Sequence, residues 1–138
     1  TVAAAPATAP ESRQRPGSLR TPAGGMLLLR FGDKNAMGIK SDGWRIRTKP
    51  GALVVAPGDG RVEFADRFRR YNHIVIMNHN NGYISVLTGL ETLNVLVGQE
   101  VLGGEPLGRM PPSGPELYME LHKDGAPTDP SRMFAEPR

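Results

Sequence analysis

The sequence predicts an all-β domain of short antiparallel strands, arranged as a sandwich or a partly open barrel. Three observations support this fold class. Apolar and polar residues alternate over short stretches, turns rich in glycine and asparagine separate these stretches, and no segment shows a helix-length period with capping residues. The 138 residues are enough for one domain that buries its own core.

The first 25 residues differ in composition from the rest of the chain. They are rich in alanine, proline, glycine and arginine, and they contain no aromatic residue. Such a segment buries too little apolar area to offset the entropy lost on ordering, so we predict a disordered or extended linker at 1–25. The folded domain is then expected at 26–138, tethered to a segment that precedes it in the full protein.

Short strands are predicted along the whole folded part. The first two are "GMLLLRF" and "GWRIRT", and in the second Trp44, Ile46 and Thr48 alternate with Arg45 and Arg47. One hairpin is predicted to join "ALVVA" to "RVEFA" through "PGDG". Another is "HIVIMNHNNGYISVLT", in which "NNG" supplies turn positions with positive φ. Further short strands are expected in "VLVGQEV", "PLGRM" and "ELYMELH".

Composition excludes several classes of protein. The chain has 17 Lys and Arg against 14 Asp and Glu, a modest basic excess that suits an acidic surface or an anionic polymer. Nucleic acid is a poor candidate, because the only cluster of aromatic and basic residues is "RFRRY" at 67–71 and no recognition helix is evident. No apolar run is long enough to span a membrane, and the absence of cysteine excludes disulfides and thiolate chemistry.

The stretch "GPELYMELH" at 114–122 is the main candidate for chemistry. As a strand it places leucine and methionine side chains on one face and Glu116, Tyr118, Glu120 and His122 on the other. Glu120 and His122 offer two metal ligands, whereas zinc normally needs three or four from the protein. From these residues alone, a metal site and a polar face without a metal both remain open.

The order of the motifs resembles one family, the lysostaphin/LytM-type peptidoglycan metallopeptidase domain. The family's G-x-D-I core, with its later V-x-A and G-x-V elements, is similar to "GWRIRTKPGALVVAPGDGRVEFAD". The family's central hairpin is similar to "YNHIVIMNHNNGYISVLTGL". "LLLRFGD", "VLVGQEVLGGEPLG" and "ELYMELHKDGAPTDP" match further motifs in the same order, from about residue 26 to residue 134. The resemblance implies the LytM fold, which is a duplicated hybrid motif of β-strands.

Hydrolytic members of that family hold one zinc through a His and an Asp of an H-x-G-x-D motif and the second His of H-x-H. Two further histidines assist the attacking water. Carried onto this chain, these five positions fall on other residue types, namely Ser41, Arg45, Gly89, Glu116 and Tyr118. Arginine is a permanent cation, glycine has no side chain, and one carboxylate cannot hold zinc alone. The resemblance therefore implies no catalytic residue, no metal and no cofactor.

A domain with such substitutions resembles the EnvC-like divisome factors, envelope proteins that activate N-acetylmuramoyl-L-alanine amidases. The resemblance implies a non-catalytic periplasmic activator in cell division and cell separation, with the amidase bound in the vestigial groove. In that group an upstream coiled coil, absent from this sequence, connects to a transporter-like division complex. The expected groove residues are Ser41, Trp44, Arg45, Tyr71, Tyr118, Glu120 and His122.

Two alternatives remain open at this point. In the first alternative, the domain is a peptidoglycan-binding module that tethers an envelope complex. Arg67, Arg69 and Arg70 would then pair with acidic groups of the wall. In the second it is an endopeptidase with an unusual metal site around Glu116, Glu120 and His122.

Overall fold

The structure is a computed structural model that describes residues 20–138. Within that range the secondary structure consists of short strands and one 3-10 helix. The strands are β1 Met26–Leu29, β2 Trp44–Arg47, β3 Leu53–Val55, β4 Gly60–Arg67, β5 His73–Asn78, β6 Tyr83–Leu90, β7 Thr92–Leu93, β8 Glu100–Val101, β9 Pro106–Arg109, β10 Glu116–Lys123 and β11 Ala126–Thr128. The 3-10 helix is Pro130–Arg132. In this part of the chain, no helix has the length and apolarity needed to cross a bilayer.

The strands form two antiparallel sheets. The large sheet has the order β1-β2-β10-β6-β5-β4-β8, and β11 pairs with the second half of β10. The small sheet has the order β3-β9-β7. This arrangement confirms the predicted all-β class with short antiparallel strands.

Strand β10 is an interior strand of the large sheet, between β2 and β6. Its alternation holds as the sequence predicts, because Leu117 and Met119 are fully buried while Tyr118 between them is only partly buried. Residues of both sheets form one core, and the buried face of β10 packs in it. The other face of β10 is left to carry polar side chains.

One predicted hairpin is confirmed and the other is wrong. Strands β5 and β6 pair as predicted, and Asn80, Asn81 and Gly82 at their turn all have positive φ. Strands β3 and β4 lie in different sheets instead of forming a hairpin, since β3 pairs with β9 and β4 pairs with β5 and β8. The "PGDG" turn at 57–60 carries the chain from one sheet to the other.

The predicted linker boundary also needs correction. Residues 1–19 of that linker lie outside the described residues. Residues 20–25, in contrast, are bound to the domain. The backbone N–H of Arg20 donates to Pro57, that of Val55 to Pro22, and Ala23 is buried in the core at 6% exposure. The folded domain therefore includes these six residues, because the apolar Ala23 and the backbone groups around it find partners there.

His79 joins three segments of the large sheet through its two ring nitrogens. Nδ1 donates to the carbonyl oxygen of Asp59 at 2.8 Å, which leaves Nε2 to accept from the hydroxyl of Ser85 at 2.8 Å. Asp59 in turn accepts from the backbone N–H of Gly103 at 2.6 Å through its carboxylate. Both ring nitrogens therefore have hydrogen-bond partners within the fold.

This arrangement predicts acid sensitivity of the fold. Burial lowers the pKa of His79 below its usual value, with hydrogen bonding to Asp59 opposing the shift. A pKa depressed in the folded state means that the stabilisation is present above the unfolded value of about 6.5 and is lost as pH falls below it. We expect the free energy of unfolding, measured with denaturant, to fall between pH 7 and pH 5. His79→Gln should show a flatter dependence, and an equal slope in both proteins would contradict this assignment.

Candidate functional site

Four neighbouring strands place one side chain each in a row across the exposed face of the large sheet. Tyr118 on β10 is opposite both Arg45 on β2 and Thr88 on β6, and Thr88 is opposite Ile74 on β5. These four residues form the floor of a groove, and their order follows directly from strand register. Two loops rise on either side of this floor.

The first rim is the loop between β1 and β2. The side-chain oxygen of Asn35 accepts from the backbone N–H of Met37 at 2.8 Å and of Ile39 at 3.0 Å. A bridge between Lys34 and Lys40 closes the loop below this turn. Ile39 is 60% exposed and lines the groove, so the loop holds an apolar side chain toward open space.

The second rim is the turn between β4 and β5. The rings of Phe68 and Tyr71 stack with centroids 6.3 Å apart, and Arg69 lies over the Phe68 ring at 5.4 Å. Positive φ at Arg69 and Asn72 gives the turn its shape, and backbone hydrogen bonds from Phe68 to Asn72 and from Tyr71 to Phe68 close it. Both aromatic residues therefore project from a defined turn into the groove wall.

The groove between these rims has a volume of about 820 Å³. A smaller extension of about 230 Å³ shares Arg45, Tyr71, Thr88 and Tyr118 with it. The size of the main part is in the range of sites that hold a ligand or an inserted side-chain cluster. Its apolar lining includes Leu29, Ile39, Phe68 and Ile74.

Four of the seven predicted groove residues line this cavity, namely Ser41, Arg45, Tyr71 and Tyr118. Trp44 does not, because it is only 1% exposed and belongs to the hydrophobic core. Adjacent residues on a strand point to opposite faces, so Trp44 and Arg45 cannot both reach the groove. The prediction that Trp44 lines the groove is therefore wrong.

The remaining two predicted residues, Glu120 and His122, continue the polar face of β10 beyond the cavity. The Tyr118 hydroxyl donates to Glu120 Oε2 at 2.6 Å, and His122 Nε2 donates to Glu120 Oε1 at 2.8 Å. Both carboxylate oxygens are thus engaged by neighbours on the same strand. These hydrogen bonds fix the orientation of the Tyr118 ring at the groove floor.

The hydrogen-bond chain predicts an unusual titration for Tyr118. Burial, the hydrogen bond to Glu120 and the negative charges of Glu120 and Asp42 raise the pKa of the phenol, against an opposing effect of Arg45. The hydroxyl therefore stays protonated, and the stabilisation it gives is lost only as pH rises above the usual tyrosine value of about 10.

The ultraviolet pH titration of Tyr118→Phe, subtracted from that of the wild type, gives the titration of Tyr118 alone. We expect the midpoint of this difference curve at a pH well above about 10. Glu120→Gln should lower that midpoint, because it removes the neighbouring charge. A difference curve with its midpoint at the ordinary tyrosine pKa would show that the hydrogen bonds between Tyr118, Glu120 and His122 do not form.

The five positions that the sequence resemblance assigns to the zinc peptidase residues all line the groove or its extension. The side chains present do not fit a zinc ion. The Ser41 hydroxyl donates to the backbone carbonyl of Gly43 at 2.9 Å, Arg45 Nη1 lies 3.9 Å from Glu116 Oε1, and Tyr118 remains a neutral phenol. Within residues 20–138, no three His, Asp or Glu side chains are grouped closely enough to hold a metal.

The alternative metal site fails on distance along the strand. Glu116 is four residues from Glu120, which corresponds to about 13 Å on an extended strand. Glu116 lies near Arg45 and Arg47, at 3.9 and 3.8 Å, whereas Glu120 binds Tyr118 and His122. The two carboxylates therefore belong to separate clusters.

Sequence reasoning missed several groove residues, among them Leu29, Ile39, Phe68, Ile74 and Thr88. Phe68 lies within the "RFRRY" cluster, so the signal for it was present. The exposed positions of Ile74 and Thr88 follow from alternation only when the sheet order is known, in which β6 pairs with β10 and β5 pairs with β6. Ile39 had no signal, because its exposure depends on the turn built by Asn35.

Residues 20–138 thus form an antiparallel β domain with a groove on one sheet face, and no group of His, Asp or Glu side chains among these residues fits a zinc centre. The family model described as peptidase family M23 matches residues 40–130, and the chain belongs to that family. The LytM-type fold predicted from the sequence is confirmed by this match.

Two curated relatives match most of the chain. The cell division protein DipM of Caulobacter vibrioides is 31% identical over 96% of this chain and 24% of its own length. The murein hydrolase activator EnvC of Escherichia coli is 31% identical over 84% of this chain and 30% of its own length. The chain therefore spans about a quarter to a third of these relatives.

A solved structure shows the same fold. The zinc-containing peptidase from Vibrio cholerae superposes with a TM-score of 0.73 at 22% identity, over 90% of this chain and 41% of that one. The fold is thus shared by proteins named as peptidases and by relatives named as activators.

Proposed function

We propose that this domain is a non-catalytic activator of periplasmic N-acetylmuramoyl-L-alanine amidases, and that it binds the amidase through its groove. The observation that carries the proposal is the groove itself, in which Ser41, Arg45 and Tyr118 stand at the positions that the sequence resemblance assigns to the zinc ligands. Two relatives named for murein hydrolase activation and for cell division support this assignment.

The groove has the composition of a protein-docking surface. Arginine, tyrosine and other aromatic residues dominate binding hot spots, and Arg45, Phe68, Tyr71 and Tyr118 all line it. The rims are closed by local hydrogen bonds, so little conformational freedom is lost when a partner docks. Cell-wall chemistry would then be performed by the amidase, with this domain changing the amidase's activity by contact.

The test is dye release from labelled cell walls by a purified zinc amidase. The amidase is assayed alone, with the wild-type domain, and with Tyr118→Ala, while the domain alone serves as the control for intrinsic hydrolysis. We expect release to rise with the wild-type domain, to rise less with Tyr118→Ala, and to stay at background for the domain alone. Release by the domain alone, or no stimulation of any zinc amidase tested, would refute the proposal.

A second function is favoured by one observation. The end of β4 and the turn that follows it expose Arg67, Arg69 and Arg70 together with the stacked rings of Phe68 and Tyr71. Aromatic faces stack on sugars and guanidinium groups pair with carboxylates, so this turn suits peptidoglycan. Co-sedimentation with purified sacculi separates the two functions, because pelleting without any effect on an amidase supports a peptidoglycan-binding module.

A further inference from the structure

We propose that Arg45 binds a carboxylate of the protein partner, at a subsite that it forms with Arg70 where the main groove meets its extension. This inference rests on the proposed function, and it names the chemistry by which the groove recognises an amidase. The ligand is an acidic side chain on an otherwise apolar segment of that partner.

Arg45 is held at this place by a loose contact. Its Nη1 lies 3.9 Å from Glu116 Oε1, which is an ion pair but longer than a hydrogen bond. The two side chains are 48% and 41% exposed, so water screens the pair. Glu116 is also shared with Arg47, whose Nη2 lies 3.8 Å from Oε2. An incoming carboxylate can therefore replace Glu116 beside Arg45 at little cost.

Charge is distributed unevenly along the groove. Asp33 and Asp42 balance Lys40 and Arg45 in the lining of the main part, whereas the extension is lined by Arg45 and Arg70 with Glu116 as its single carboxylate. The extension thus has an excess of one positive charge, which orients the acidic group of a ligand toward it. Arginine suits this role because its planar donors match both oxygens of a carboxylate.

The surroundings favour a protein over a wall peptide as the source of the carboxylate. Leu29, Ile39, Phe68 and Ile74 line the main part of the groove beside Arg45. A segment that fills this part needs large apolar side chains next to its acidic residue. When such a segment docks, it excludes water from Arg45, and the new ion pair becomes stronger than the exposed pair with Glu116.

The experiment measures binding of the zinc amidase by calorimetry at low and moderate ionic strength. Arg45→Gln is compared with Arg47→Gln, a matched control on the same strand that shares Glu116 but lies outside the groove lining. We expect about tenfold weaker binding for Arg45→Gln and less than about a twofold change for Arg47→Gln. Glu116→Gln should bind about threefold more tightly, because the competing carboxylate is gone. Thermal unfolding checks that each variant remains folded.

The outcomes separate this inference from the proposed function. If the wild type binds and stimulates the amidase but Arg45→Gln and Arg47→Gln behave alike, only the carboxylate subsite is refuted. Weaker binding by Glu116→Gln also refutes it, since the acid would then be part of the contact. Arg45-dependent pelleting with sacculi and no amidase binding would overturn both, and would assign the carboxylate to the wall peptide.

Discussion

Replacement of Gly89 by histidine is expected to lower the free energy of unfolding by about 3–5 kcal/mol. The sequence resemblance assigns Gly89 to the position of a catalytic histidine in the hydrolytic members of the family, so the change looks like a simple reversion. The backbone does not allow it. Gly89 has φ of 118°, and a Cβ placed there would lie 2.5 Å from the carbonyl oxygen of Glu116.

Gly89 lies at a bulge in β6. Thr88 is opposite Ile74 and Leu90 is opposite His73, so Gly89 is the extra residue between two paired ones. The bulge brings β6 close to the start of β10, where only a hydrogen fits. A side chain at residue 89 must therefore move one of these strands.

Gly114→His is the matched control. Gly114 also has positive φ, at 62°, but a Cβ there meets nothing within 4 Å. It therefore tests the backbone preference without the steric overlap, and we expect a cost of about 1 kcal/mol. Denaturant unfolding of both variants provides the comparison. Equal, small losses would show that β6 adjusts easily and that the groove tolerates a histidine at residue 89.

Local sequence patterns were sufficient for most of the strands. The alternation in "ELYMELH" located β10 and its buried face, and "NNG" located the β5–β6 turn, because both depend on neighbouring residues alone. The β3–β4 hairpin failed for the opposite reason. The "PGDG" turn permits either a hairpin or a change of sheet, and the choice depends on β9, about fifty residues further along the chain.

The candidate site shows the same division. Alternation placed Arg45 on the exposed face and Trp44 on the core face, and the structure agrees with that pattern rather than with the inclusion of Trp44 in the groove. The cavity also depends on loops whose shapes no local pattern specifies. Asn35 and Asn72 shape the two rims through hydrogen bonds to residues four positions away, and these contacts become visible only in three dimensions.

Truncation of both rim aromatics, Phe68→Ala with Tyr71→Ala, is expected to reduce amidase activation about thirtyfold or more. The two rings are 43% and 55% exposed, and they stack on each other at the groove wall. Side chains of this type and position dominate the free energy of docking, because a partner can enclose them completely. The fold should change little, by about 1 kcal/mol, since the rings contribute mainly their mutual stacking.

The control for this double variant is Leu96→Ala with Val97→Ala. These side chains are 76% and 62% exposed, but they lie on the turn before β8, outside the groove lining. Loss of general surface hydrophobicity would reduce activation in both double variants alike. A specific docking rim predicts a large loss for the aromatic pair and no loss for the aliphatic pair, measured by dye release at equal concentrations of folded domain. If the aromatic variant activates as well as the wild type, the amidase does not use this wall of the groove.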